Sequence, residues 1–232
     1  MLPVRAEDVA CLQPQVLKRL MREGISHWQE GAAGNDIVGS AVFEDQEGIY
    51  NMLQEVAGHL RPRLNLSPTW LASAHALGYE LATNVLRHSG TKRGVGVVTV
   101  DPSRSRLNLT IADSGVGIRV SLARNPKFAM TKDLEAIIAA MGAAATGEPG
   151  KGAGMGLYLA HHVLRDNGGT LLVRSGGAYR ELVEENENHS TDLAHLQGTL
   201  VSADIRTDKS LDYGRVDREL REPHGISDRR NS

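Results

Sequence analysis

The chain has 232 residues, a net charge of −2, and 41% hydrophobic against 23% charged side chains. That balance is ordinary for a globular protein, and the length suits one domain with attachments or two small ones. The near-neutral charge leaves no electrostatic footprint for nucleic acid or an anionic membrane. The single cysteine, Cys11, excludes an internal disulfide and a cysteine-based metal cluster.

Residues 1–30 mix charged and apolar side chains in a helix-like manner, and "GAAGNDIVGS" (31–40) reads as a flexible loop. Residues 1–44 are therefore expected to form an N-terminal helical arm. "EDQEGIYNMLQEVAGHLRPRL" places Ile49, Leu53, Val56 and Leu60 at helical spacing, with Pro62 as its stop. Ser67 followed by Pro68 is an N-cap with an N1 proline, opening a long helix that runs through His88 to Gly90. Two strands, "VGVVTV" and "RLNLTIAD", flank the turn sequence "DPSRS". A small-residue helix is expected from Thr131 to Ala145, the longest apolar stretch being around 136–145, too short to span a membrane. A further helix follows over "MGLYLAHHVLRDNGG", with a glycine stop. "TLLVRS" and "AYREL" form a hairpin across Gly176 and Gly177, "ENENHSTDLAHLQ" reads as a polar loop, and "GTLVSADI" is a last strand. From Thr207 onward the chain is charged and poor in large apolar groups, which predicts a mobile tail over 207–232. Closely spaced strands among helices predict a two-layer α/β sandwich, with helices on one face of a mixed, mostly antiparallel sheet. No signal-peptide core opens the sequence, so a cytoplasmic location is expected.

Three stretches carry chemistry. Glu80, Asn84 and His88 are spaced four apart on one helix and span about 80° of its surface, a narrow polar stripe. Such a triplet alone is as compatible with a solvated face. Asp113 ends a strand and runs into Ser-Gly115-Val-Gly117, which alone reads as an Asx turn. "GKGAGMGLYL" puts glycines at 150, 152, 154 and 156 just before a helix, where free N–H groups favour phosphate. The spacing fits neither the Walker A loop nor the dinucleotide fingerprint.

In order, the chain presents ExxxNxxxH on a helix, DxGxG after a strand, GxGxGL entering a helix and Gly198-Thr199 opening a last strand. This order resembles the N, G1 and G2 boxes and the final-strand Gly-Thr of the GHKL ATPase superfamily (Bergerat fold), over about residues 45–206. The resemblance implies ATP and Mg²⁺ as cofactors. Asp113 would receive the adenine amino group with Thr199 beside it, while Gly115 and Gly117 let the backbone pass the base. Asn84 would ligate Mg²⁺, Glu80 would orient or deprotonate the attacking group as the catalytic residue, and His88 would lie along the phosphates. Gly152, Gly154 and Gly156, with Met155 and Leu157, would wrap the phosphates, and Lys151 could reach the terminal one. Residues 118–151 would be an ATP lid.

No histidine precedes an acidic residue (His27 precedes Trp28, His59 Leu60, His75 Ala76), so a phosphoacceptor domain of the sensor-kinase kind is not expected. The pattern is most similar to stand-alone histidine-kinase-like or anti-sigma-factor serine-kinase-like domains. Two functions stay open. One is hydrolysis of ATP, or transfer of its γ-phosphate to a regulatory protein partner, in a signalling switch. The other is an ATP-gated interaction module with little kinase activity. A homodimer through the N-terminal arm is an expected assembly, and neither nucleic acid nor membrane is an expected partner.

Overall fold

The computed structural model describes residues 27–30, 37–130, 132–143, 145–147 and 154–221. Eight strands form one sheet in the order β1-β2-β3-β4-β8-β5-β6-β7. They are β1 (His27–Glu30), β2 (Ile37–Phe43), β3 (Gly94–Asp101), β4 (Arg106–Asp113), β5 (Thr170–Gly176), β6 (Ala178–Val183), β7 (Asn186–Ser190) and β8 (Leu196–Arg206). Every neighbouring pair is antiparallel, so the sheet is not mixed. The helices are α1 (Gln46–Leu60), α2 (Pro68–His88), α3 (Gly117–Leu122), α4 (Asp133–Ala140), α5 (Gly156–Asn167) and α6 (Tyr213–Arg221).

Local chemistry sets the helix ends. Asp45 accepts from Gly48 N at 2.7 Å to cap α1, and Ser67 accepts from Trp70 N at 3.1 Å to cap α2. Gly168, at φ +71°, closes α5 in the left-handed conformation. The main core lies between the helices and the sheet face carrying Leu107, Leu109 and Ile111 of β4 and Val201, Ala203 and Ile205 of β8. The period of two along each strand puts these residues on one side. Asn167, only 1% exposed, pins the end of α5 to the end of β8. Its amide donates to the carbonyls of Arg206 and Ser210 and accepts from Arg206 N.

Several expectations are corrected. Residues 27–30 and 37–43 are strands, not part of a helical arm or a loop. The run Gly39-Ser40-Ala41 has weak strand propensity, but pairing of β2 along the whole of β3 overrides it. Residues 1–26 lie outside the described residues. The helix expected over 131–145 spans only 133–140. "NENHS" is an edge strand, and its polar composition suits an edge. The expected mobile tail contains α6, because Tyr213 and Val216 on it and Leu211 just before it are few but bury against the core. Tyr213 N also donates to Ser73 Oγ at 3.1 Å.

Candidate nucleotide site

The site forms at one end of the sheet, where β4 ends, β8 begins, α2 ends and α5 starts. The antiparallel pairing of β4 with β8 brings Asp113 beside Thr199. A cleft of about 110 Å³ opens there. Leu81, Val85, Ile111, Ile118, Leu122 and Val201 form its apolar walls, and Asp113 lies among them.

Asp113 is 4% exposed. One of its carboxylate oxygens accepts from Gly115 N at 2.7 Å, and the backbone N–H of Thr199 also donates to the carboxylate. Burial nevertheless pushes its pKa up to about 6, because desolvation of the charge outweighs those two N–H donors. A cleft with apolar walls and one buried carboxylate suits a base bearing an exocyclic amino group.

The loop after Asp113 packs against the end of α2. A Cβ on Gly115 would collide with the carbonyl oxygen of Ser89, which also accepts from Val116 N at 2.8 Å. Gly117 has φ +77° and starts α3. Three residues that sequence reading missed hold this loop. Ser89 is the first. Ser175 Oγ accepts from Ile118 N at 3.0 Å and donates to Gly198 O at 2.8 Å. Gln197 Nε2 donates to Gly115 O at 2.6 Å. Ser89 directly follows His88 and Gln197 directly precedes Gly198, but their bonds to the loop, like those of Ser175, appear only in the folded chain.

Asn84 and His88 line the cleft, as do Gly117, Gly154, Gly156, Leu157 and Thr199. Glu80 is not on the cleft wall. It meets the start of α5 instead: a Cβ on Gly156 would lie 2.7 Å from Glu80 Oε1 and 3.1 Å from Asn84 Nδ2. Glycine at 156 therefore lets the helix start approach the polar stripe of α2. Met155 precedes α5 without a side-chain cap, so the first N–H groups of the helix have no side-chain acceptor there. Met155 itself is buried and is not on the cleft wall. Lys151 and Gly152 lie outside the described residues.

Of the expected lid, α3 and α4 pack firmly. Ala136 and Ile137 of α4 are fully buried in the main core. At the cleft stand Ala140, Ala145, Thr146 and Gly147, and Ala145 N donates to Gly154 O at 3.2 Å.

The sequence model of the histidine kinase-, DNA gyrase B- and HSP90-like ATPases matches residues 73–207. The chain belongs to this family. The match runs from within α2 to the end of β8 and contains the whole site described above. Comparison with curated protein sequences gave no match. The chain thus carries an ATP-binding domain of the GHKL type. Among the described residues no three His, Cys, Asp or Glu side chains converge to hold a metal ion. No helix among the described residues is long and apolar enough to cross a membrane.

Proposed function

We propose that this domain binds Mg²⁺-ATP and cleaves its terminal phosphoanhydride, passing the γ-phosphate to water or to a regulatory protein partner. The observation that carries the reading is the meeting of Glu80 and Asn84 with the start of α5 at Gly156. That juxtaposition sets a carboxylate and a side-chain amide beside helix N–H groups suited to phosphate.

In this reading Asp113 accepts from the adenine amino group and fixes the base. The N–H groups at the start of α5 hold phosphate oxygens. Asn84 supplies the protein ligand to Mg²⁺, which when bound neutralises phosphate charge. Glu80 takes the proton of the attacking water or hydroxyl as its oxygen bonds to phosphorus and the bridging oxygen leaves with ADP. His88 lies on the cleft wall four residues beyond Asn84 and contacts the phosphate side.

A second reading, an ATP-gated interaction module, is favoured by Val120 and Ile138. These apolar side chains are 49% and 42% exposed on α3 and α4, the two helices flanking the nucleotide cleft. The test is calorimetric titration with ATP and Mg²⁺, with phosphate release in the same samples, for wild type, Asp113→Asn and Glu80→Gln. Enzymatic use predicts that Glu80→Gln binds ATP and releases no phosphate. Equal release by wild type and Glu80→Gln would leave the switch reading. Equal ATP binding by wild type and Asp113→Asn would refute the assignment of the base pocket.

A further inference from the structure

The Gly176-Gly177 turn between β5 and β6 has a role that a hairpin alone does not require. Gly176 has φ +62°, and a Cβ there would collide with the carboxylate of Asp133. Gly177 N donates to Asp133 Oδ2 at 2.9 Å. The other carboxylate oxygen, Oδ1, accepts from Arg119 Nε at 2.8 Å. These bonds and the Arg119 charge hold the Asp133 carboxyl below its ordinary range against the opposing effect of burial, with His195 adding to the field. Asp133 opens α4 and Arg119 lies in α3, so one carboxylate joins both helices to the β5–β6 turn.

Two chains of contacts run from this knot to the cleft. Two residues before Gly177, Ser175 bridges Ile118 N and Gly198 O, and the next residue, Thr199, donates its N–H to Asp113. At the far end of α4, Ala140 lines the cleft, and beyond it Ala145 N is bonded to Gly154 O in the phosphate loop.

From this geometry we propose that Asp133 is a positioning residue for nucleotide. It latches α4 and α3 to the β5–β6 turn, and so sets the base slot and the phosphate loop in register. The proposal rests on the nucleotide reading above and adds residues that contact no nucleotide. Glycine at 176 leaves the room that this carboxylate fills, and Gly177 supplies the N–H that binds it.

The test uses the full chain and the variants Asp133→Ala, Asp133→Asn and Arg119→Ala. ATP affinity is read by calorimetry, and amide hydrogen exchange at 117–118 and 154–157 is read without nucleotide. Asp133→Ala should weaken ATP about tenfold and speed exchange at both segments. Asp133→Asn keeps an acceptor for Gly177 N and should recover part of both effects. Arg119, with a side chain 45% exposed, can be removed without opening the core. Arg119→Ala should move both readouts in the same direction by less, and it carries the comparison if Asp133→Ala fails to fold. ATP affinity within about twofold of wild type, with faster exchange confined to 133–140, would make Asp133 a local staple and overturn the proposal. Should the wild type bind no ATP, the nucleotide reading falls. The latch then stands or falls on exchange at 117–118 and 154–157, where unchanged rates refute it.

Discussion

Replacing Asp113 by asparagine should make the protein more stable and a poorer binder of ATP at the same time. The carboxyl is buried among apolar walls, and its pKa is raised from the ordinary 3.8 to about 6. A folded-state pKa above the unfolded one means that the native state holds the proton more tightly. Stability from this group is therefore full below about pH 4 and is lost as pH rises through about 6. At neutral pH the ionised carboxylate lowers stability by about 3 kcal/mol, taking about 1.4 kcal/mol for each tenfold change in proton affinity. Asparagine keeps the acceptor for Gly115 N and carries no charge, so it should recover a part of that, about 1–3 kcal/mol. In a chain of this size that raises Tm by about 2–10 °C at pH 7.5. ATP binding should run the other way if, as proposed, the ionised Asp113 accepts from the amino group of the base. At pH 5 only about a tenth of Asp113 is ionised, so apparent affinity should fall about tenfold between pH 7.5 and 5. Differential scanning calorimetry and ATP titration at the two pH values check both halves. An asparagine variant less stable than wild type at pH 7.5, or ATP affinity unchanged between pH 7.5 and 5, would refute the reasoning.

Gly156→Ala places a methyl 2.7 Å from Glu80 Oε1. It should weaken ATP binding by about tenfold or more while leaving Tm within a few degrees, read by titration and scanning calorimetry. Glu80→Gln should keep the ATP affinity of the wild type and lose phosphate release by at least about a hundredfold, measured in single-turnover assays. Asn167→Ala removes a buried amide that satisfies Arg206 and Ser210. It should lower unfolding free energy in urea by about 2–4 kcal/mol without changing ATP affinity in the folded protein.

What the sequence made legible were features whose signal is local. The Ser67-Pro68 start, the four-residue spacing of Glu80, Asn84 and His88, and the strand that ends at Asp113 are each encoded within a dozen residues, and each lies where expected. The features that were missed depend on partners far along the chain. β2 is a strand because β3 pairs with it, despite a small-residue run that reads as loop. The helix α6 was masked by its charge, since only Tyr213 and Val216, with Leu211 just before it, are buried apolar side chains there. Ser175 and Gln197 belong to the site through bonds spanning 57 and 82 residues, and no local pattern announces such contacts. Asp133 was hidden in the same way, inside a stretch that reads as a freely hinged lid.

The arrangement of α2 and α5 gives a reason why these motifs share one end of the sheet. Asn84 and His88 lie in the last two turns of α2, where the negative end of the helix dipole favours a cation. Gly156 opens α5, where the positive end favours an anion. The start of α5 meets α2 one to two turns before the end of that helix, where Glu80 and Asn84 approach Gly156. A phosphate placed there would face the end of α5 that suits its charge, before any side chain is counted. The polar stripe on α2 can therefore remain small, with one amide and one carboxylate at the meeting point, because the start of α5 already offers N–H groups to an anion. On this argument, Asn84→Ala should weaken Mg²⁺-ATP far more than ATP without metal, since the anion's share of the binding comes from α5. An equal loss for both forms would place Asn84 on the nucleotide and not on the cation.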